Sequence, residues 1–190
     1  HLVLRRQRQM CIRDRNDGAS GVAVILELAK IMKKNPPPIG VSLVLFDAED
    51  YGTSADSWSY AKGSQFFAQN IPINYPMYAI NLDMIADREP EFYIERYSYQ
   101  QNPTLVLELW ELAESLNLKT FKKQAKYTIF DDHVPLYQMA GIPAIDIIDF
   151  DFPNEKTNYH HTHQDIVQNC SPKGLGEVGT LMLNHIYNIK

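Results

Sequence analysis

Residues 16–34 read NDGASGVAVILELAKIMKK, a short polar segment that runs directly into an amphipathic helix. Apolar side chains recur at helical spacing along this stretch, at Val22, Ile25, Leu26, Ala29 and Met32. Two lysines close the last predicted turn, and an asparagine followed by three prolines stops the helix. The pattern predicts a helix over residues 20–34.

Three largely apolar runs follow this helix, at residues 41–46, 77–82 and 144–148. Such runs are typical of strands that are buried on both faces. Helical patterns lie between and after them, at residues 58–69, 103–116, 134–140 and 171–188. Buried strands that are separated by helices indicate an α/β fold with a largely parallel sheet.

Composition limits the classes of partner. The 190 residues are enough for one domain with a sizeable core. The net charge is −5, and five of the seven arginines lie within residues 1–15, so the remaining chain is more acidic still. An acidic body argues against nucleic acid as a partner. No run of about eighteen apolar residues occurs, so we expect no membrane span.

Residues 1–15 differ from the rest of the chain. They lack the apolar centre of a signal peptide, although a basic arm for anionic partners would have this charge. The run QMCIRDR at residues 9–15 resembles translated adapter sequence from the edges of metagenomic assemblies. We therefore expect residues 1–15 to be foreign to the fold and the natural N-terminal part to be missing.

Acids and histidines follow the predicted strands at their carboxyl ends, where parallel sheets bind ligands. The residues at this edge are Glu49, Asp50, Asp83, Asp149, Asp151, His160, His161 and His163. So many acids repel one another unless a cation or water offsets their charge. Carboxylate oxygens together with imidazole nitrogens suit zinc.

Five sequence blocks resemble, in order, those that build the metal site of peptidase family 28, the zinc exopeptidases. They are NDGASG at residues 16–21, FDAEDYG at 46–52, NLDM at 81–84, DDHVP with GIPA at 131–135 and 141–144, and HTHQD at 161–165. The resemblance implies a three-layer α/β sandwich with a largely parallel mixed sheet flanked by helices, truncated at its N terminus. It also implies that residues 16–190 form a zinc exopeptidase-like catalytic domain.

The resemblance assigns roles to individual residues. Asp17, Asp50 and His161 match metal ligands, and Glu49 matches the general base. Neighbouring side chains of an extended backbone point to opposite sides. Asp50 can therefore bind the metal while Glu49 remains free to move protons.

Asp83 and Asp131 match positions whose role differs between the family's two activities. In the aminopeptidases, two zinc ions share the aspartate that matches Asp17, and Asp83 would bind the second ion. In the glutaminyl cyclases, one zinc ion polarises the side-chain amide of an N-terminal glutamine, and Asp83 and Asp131 would be hydrogen-bonding acids. The Asp-Asp-His at residues 131–133 and the stretch at 150–153 resemble the cyclases. A glutaminyl-peptide cyclotransferase is therefore favoured, with a zinc aminopeptidase as the alternative.

Some positions depart from the family pattern. Asp50 stands where many relatives have glutamate, and His160 stands where cyclases often have tryptophan. We expect Trp58 or Tyr60 to supply an aromatic wall instead, with Phe152 as a further substrate contact. The upstream His-x-Asp block of the aminopeptidases has no counterpart in this sequence.

The resemblance also implies partners and a location. The substrate would be a peptide or protein N terminus, and exported bacterial relatives imply a periplasmic or extracellular location. Some members of this fold have lost the metal and act as binding domains, but the ligand residues here are chemically intact.

Other residues allow a structural explanation. Asp146, inside the third apolar run, predicts a buried acid that supports the site. His133 is predicted to be a core histidine that hydrogen bonds orient. Tyr93, Tyr97 and Tyr99 are typical of an edge strand.

Overall fold

Helices and short strands alternate along the chain. The computed structural model describes residues 15–72 and 74–189, so the predicted foreign head lies outside the described residues except for its last position. The helices are α1 (Ala19–Lys34), α2 (Lys62–Gln69), α3 (Arg96–Gln101), α4 (Pro103–Ser115), α5 (His133–Ala140) and α6 (Pro172–Asn188). The strands are β1 (Ala79–Asp83), β2 (Phe92–Ile94), β3 (Phe121–Ala125), β4 (Ala144–Ile148), β5 (Pro153–Asn154) and β6 (Thr157–Asn158), and 3₁₀ turns lie at Ser57–Ser59 and Val167–Asn169. Among these described helices, none has the length and apolar character needed to cross a membrane.

Parallel pairing dominates the strands. β1 pairs with β4 in parallel, from Ala79 opposite Ala144 to Asp83 opposite Ile148. β2 pairs in parallel with β3 and lies beside β4. β5 and β6 form a short antiparallel hairpin. The carboxyl ends of β1 and β4 therefore meet at one edge, and the prediction of an α/β fold with a largely parallel sheet is confirmed.

The side chains of β4 alternate between two helical layers. Ile145 and Ile147 pack into the larger apolar core with residues of α1, α4 and α6. Ala144 faces the other side, where it packs with Leu136 of α5 and with Ile142. Helices on both faces of the strands make the three layers that were expected.

Helix α1 lies directly on β1 because Gly21 has no side chain. A Cβ at Gly21 would come within 1.9 Å of the carbonyl oxygen of Leu82, so a larger residue would push the helix off the strand. Ser20 holds the same contact, because its hydroxyl accepts a hydrogen bond from the amide of Ile85 at 2.9 Å. The start of α1 and the end of β1 are thereby fixed together, which places Asp17 beside Asp83.

Residues 41–46 do not form the predicted strand. They have no regular secondary structure, and no strand of the described residues pairs with them. Leu43 and Leu45 are 40% and 56% exposed. An apolar run predicts burial, but a strand also needs a neighbour that accepts and donates its backbone hydrogen bonds.

The helix predicted over residues 58–69 is divided. The 3₁₀ turn Ser57–Ser59 comes first, and α2 begins only at Lys62. Between them Ala61 has a φ of 52°, a left-handed conformation that a continuous helix cannot contain.

The predicted edge strand of tyrosines was wrong for two of its three residues. Tyr93 lies in β2, but Tyr97 and Tyr99 lie in α3. The carboxylate of Glu95 caps α3 by accepting hydrogen bonds from the amides of Tyr97 and Ser98, at 2.9 and 2.6 Å. An N-cap of this kind starts a helix even where the following residues favour strands.

Candidate metal and catalytic site

Asp17 lies just before α1, in a turn that Asp165 holds. The amides of Asn16 and Asp17 donate hydrogen bonds to the two carboxylate oxygens of Asp165, at 2.8 and 3.0 Å. The side-chain oxygen of Asn16 accepts a hydrogen bond from the amide of Ala86 at 2.6 Å. All three polar residues are buried, so the carboxylate of Asp17 is presented from a rigid turn.

Replacing Asp165 with alanine is expected to lower the free energy of unfolding by about 2–4 kcal/mol, because two buried amides lose their acceptor. Urea unfolding measures this change. Asp56→Ala is the matched control: its carboxylate accepts one exposed hydrogen bond, from the amide of Trp58 at 3.0 Å, and its loss should cost about 1 kcal/mol or less. An equal cost for the two substitutions would contradict the anchoring role of Asp165.

Glu49 and Asp50 lie in a loop that is attached to the start of α2. The first amides of a helix have no partner within the helix. Here residues 61–63 donate their amides to the carbonyl oxygens of residues 47–49, at 2.7 to 3.2 Å. A Cβ at Gly63 would lie 2.4 Å from the carbonyl oxygen of residue 47, so only glycine allows this approach. The loop therefore has a fixed backbone although it has no regular structure.

His161 lies between Asp17 and Asp50. Its Nε2 is 2.7 Å from Oδ1 of Asp50 and 3.3 Å from Oδ2 of Asp17. Nε2 of His160 is 3.6 Å from the same oxygen of Asp17, and the centroids of the two imidazole rings are 3.7 Å apart. The ion pairs with Asp17 and Asp50 raise the pKa of His161 to about 10, whereas burial and the charge of His161 lower the pKa of His160. The carboxylates of Asp17 and Asp50 both face Nε2 of His161, so a positive charge is favoured at that position.

The donor atoms at this point fit a zinc ion. Donors about 2.0–2.1 Å from a tetrahedral zinc lie about 3.3 Å from one another, which agrees with the 3.3 Å between Asp17 and His161, whereas the 2.7 Å between Asp50 and His161 is a hydrogen-bond distance. Asp17, His160 and His161 offer donor atoms that all lie within 4.8 Å of one another. Oδ2 of Asp17 is buried without a hydrogen bond, and both histidine nitrogens face it, at 3.3 and 3.6 Å, so a cation between them would compensate its buried charge. The ligand set Asp17, Asp50 and His161 stays a prediction, and His160 offers one more nitrogen.

The acids beside these donors act on one another's ionisation. Burial raises the pKa of Glu49, and the charges of Asp131, Asp50 and Asp83 raise it further. Burial, followed by the charges of Asp131 and Asp17, raises the pKa of Asp83 well above its usual value. Burial likewise raises the pKa of Asp131. The structure therefore brings the three predicted catalytic acids together in a cluster that holds protons unless positive charge lies nearby.

The three residues that were predicted to contact substrate lie in different environments. Trp58 is 38% exposed, and its ring packs edge-on against Phe130 with centroids 5.1 Å apart. Tyr60 is partly buried and covers Gly52, where a Cβ would come within 2.5 Å of the tyrosine ring. Phe152 is fully buried in a small apolar cluster, so its ring presents no surface to a substrate.

Three residues that hold the site had no role predicted from the sequence. Asp165 lies within the HTHQD block, so its place in that block was the available signal. Asn81 lies in the NLDM block, and its side-chain amide donates to Asp131 at 2.8 Å and to Asp146 at 3.2 Å. Glu95 has no motif at all, because its partner His133 lies 38 residues further along the chain.

Known proteins were compared with this chain by sequence and by structure. The sequence model described as Peptidase family M28 matches residues 15–186. A glutaminyl cyclase of Bacteroides thetaiotaomicron, solved with bound N-acetylhistamine, is 32% identical with a TM-score of 0.89, and the match covers 94% of this chain and 64% of that chain. A Zn-dependent exopeptidase of Parabacteroides distasonis is 34% identical with a TM-score of 0.87, and the match covers 94% and 64% of the two chains.

A curated protein of similar sequence carries the name of a different activity. Aminopeptidase YwaD of Bacillus subtilis (strain 168) is 26% identical over 178 residues, which are 90% of this chain and 37% of that protein. The chain thus spans less than two thirds of the length of these relatives. Cyclase and peptidase names both occur among similar proteins, so similarity alone does not choose between the two activities.

Proposed function

Because the chain belongs to peptidase family M28, we propose that it is a zinc-dependent enzyme that acts on the N termini of peptides. Of the cyclase and peptidase activities named among the similar proteins, we propose glutaminyl-peptide cyclisation, in which an N-terminal glutamine closes to pyroglutamate and releases ammonia. One observation carries the proposal. Three acids with raised pKa values, Glu49, Asp83 and Asp131, lie together beside the zinc-binding residues.

Asp83 and Asp131 are arranged to hold hydrogen bonds. The amide of Gly18 donates to Oδ1 of Asp83 at 3.1 Å, and the side-chain amide of Asn81 donates to Oδ2 of Asp131 at 2.8 Å. A neighbouring amide thus holds each of the two acids in place, and the charge of each raises the pKa of Glu49. Such a group of acids suits a reaction that moves a proton within the site, as cyclisation does.

Cyclisation requires one proton to change place. The α-amine nitrogen of the glutamine attacks the carbon of its own side-chain amide, so a new C–N bond forms and the bond to the amide nitrogen breaks. Glu49 accepts the proton that the amine loses and returns it to the departing nitrogen, which leaves as ammonia. The charges of Asp83 and Asp131, which raise the pKa of Glu49, favour keeping this proton within the site.

Asp17, Asp50 and His161 would hold the zinc ion, which when bound supplies Lewis-acid polarisation of the amide oxygen. The charge of the zinc ion would also affect the pKa of Glu49, the proposed base. The pKa of Glu49, which burial and its acidic neighbours raise, falls when positive charge is placed beside those neighbours. Glu49 is then ionised and able to accept a proton.

An aminopeptidase is the second candidate, because Asp83 and Asp17 lie close together. The charge of Asp17 contributes to the raised pKa of Asp83. Two acids in this relation could bind a second zinc ion, as the aminopeptidase pattern requires. Glu49 would then take a proton from water, and the bond after the first residue of the peptide would be hydrolysed.

A parallel assay of two substrates tests the proposal. The natural full-length protein, purified with zinc, receives a glutaminyl peptide scored for ammonia and a leucyl amide scored for free leucine. We expect ammonia from the first and no leucine from the second. Leucine release would establish the aminopeptidase instead. A folded protein that binds no zinc and turns over neither substrate would be a metal-free binding domain of the same fold.

A further inference from the structure

A line of buried ionisable side chains leads from Asp131 into the interior of the fold. Its members are Asp146, His133 and Glu95, which are 0%, 0% and 1% exposed. They come from the middle of β4, the start of α5 and the N-cap of α3. Burying ionisable groups is unfavourable unless each one is paired, so the contacts along this line decide what it does.

Glu95 is the anchor of the line. Its Oε1 accepts hydrogen bonds from the amides of Tyr97 and Ile129, at 2.9 and 3.0 Å. Its Oε2 accepts from the amide and hydroxyl of Ser98, at 2.6 and 2.8 Å, and lies 3.1 Å from Nε2 of His133. Burial alone would raise the pKa of Glu95, but these bonds, first that of His133, lower it. An ionised carboxylate only accepts, so Nε2 of His133 carries the proton.

His133 therefore turns its other nitrogen towards Asp146. Nδ1 of His133 lies 4.0 Å from Oδ2 of Asp146, and neither atom has a hydrogen-bond partner. A second connection runs through the backbone, because the amide of Asp146 donates to the hydroxyl of Ser98 at 2.9 Å. That hydroxyl donates to Glu95. The backbone of Asp146 is thus tied to Glu95 through Ser98, while the imidazole of His133 faces its carboxyl group at 4.0 Å.

Asp146 in turn lies beside Asp131. Their carboxyl groups have oxygens within 4.8 Å of each other, and the side-chain amide of Asn81 donates to both of them. Asn81 and Asp146 stand opposite each other across β1 and β4. Burial, followed by the charge of Asp131, raises the pKa of Asp146 well above its usual value. The raised pKa favours a protonated Asp146, and a protonated carboxyl group can donate a hydrogen bond to Asp131.

We infer that Glu95, His133 and Asp146 are positioning residues that hold the carboxylate of Asp131 in place beside Glu49. The inference rests on the proposed function, in which Asp131 is one of the reacting acids. The three side chains Asp131, His133 and Asp146 could alternatively enclose a cation, because each offers a donor atom and these atoms lie within 4.8 Å of one another. The experiment must separate the two.

Substitutions along the line test the inference in the natural full-length, zinc-loaded protein. Asp146→Leu removes the donor to Asp131, whereas Asp146→Asn keeps a neutral hydrogen-bonding group of the same shape. His133→Gln breaks the link to Glu95. The matched control is His185→Gln, because His185 is a partly buried histidine with a hydrogen bond of 2.8 Å to the hydroxyl of Tyr78, and it lies on α6, outside the line.

We expect Asp146→Leu and His133→Gln to lower kcat by about 10- to 100-fold, the range for residues that orient a reacting group through another. KM and zinc content should stay unchanged, and Asp146→Asn should regain most of the lost kcat. His185→Gln should keep the kcat of the parent. We expect the carboxylate of Asp131 to be rotated away from Asn81 in a crystal structure of Asp146→Leu, compared with a crystal structure of the parent.

Each contrary result overturns the inference. If Asp131 keeps its position in Asp146→Leu, the line has a structural role alone. The same holds if His185→Gln lowers kcat as much as the substitutions in the line do. An anomalous scattering peak enclosed by Asp131, His133 and Asp146 in the parent would show a cation site. If the parent releases neither ammonia nor amino acid, the proposed function fails, and the position of Asp131 in the two crystal structures still decides the inference.

Discussion

Glu49→Gln is expected to leave zinc bound and to lower turnover by about 100- to 10,000-fold, the usual contribution of a general base. Glutamine has nearly the shape of glutamate but cannot accept a proton at neutral pH. The neighbouring Asp50 keeps its contact with His161 at 2.7 Å. The substitution therefore removes the proton acceptor without removing a predicted ligand.

Two quantities are measured. Mass spectrometry of the metal gives the number of zinc ions per chain, and an assay with a glutaminyl peptide gives kcat. Glu114→Gln is the matched control, because it makes the same change at an exposed residue of α4 whose carboxylate pairs with Lys123. The control should match the parent in both readings. Turnover near that of the parent in Glu49→Gln would exclude Glu49 as the base, and loss of zinc would make Glu49 a ligand.

Residues whose chemistry lies within one short block could be predicted from the sequence. Asp17, Asp50 and His161 were placed together on such blocks, and the structure joins them at 3.3 and 2.7 Å. Glu49, Asp83 and Asp131 likewise lie near enough to shift one another's pKa values. A block fixes the residue type and its local backbone, which is why these positions could be named before the fold was known.

The residues that hold these side chains in place could not be predicted in this way. Asp165 pairs with the amides of residues 16 and 17 across almost the whole chain. Glu95 meets His133 only because α3 and α5 pack together. Such contacts depend on tertiary packing and leave no periodic signal in the sequence, although the buried Asp146 did point to a supporting acid.

The strands likewise divide into those that the sequence predicts and those that it does not. β4 has the predicted bounds, because its apolar run is buried on both faces and paired with β1. β3 was missed because Lys122, Lys123 and Gln124 interrupt any apolar pattern, and its surface is partly exposed. Residues 41–46 show the opposite error, since their apolar run has no pairing strand among the described residues. An apolar composition indicates that a segment is buried, whereas a strand forms only where a second strand pairs with its backbone.

His161→Ala is expected to weaken zinc binding by more than about 100-fold, above the 10- to 100-fold cost of losing a residue that only supports a ligand. Nε2 of His161 lies between Asp17 and Asp50, so its removal leaves two carboxylates without the nitrogen that completes the set. Competition with a fluorescent chelator measures the zinc Kd directly, without reference to turnover. Removal of zinc from the parent should also lower its Tm more than the same treatment of the variant.

The two neighbouring histidines decide how this result is interpreted. His163 is exposed, so His163→Ala should leave the zinc Kd unchanged. His160 shares the oxygen of Asp17 at 3.6 Å, and its ring also packs against Phe150 with centroids 5.3 Å apart. His160→Ala should therefore weaken binding less than His161→Ala does. If His160→Ala removes zinc while His161→Ala retains it, the ligand is His160, and the 2.7 Å contact between His161 and Asp50 is an ion pair beside the metal.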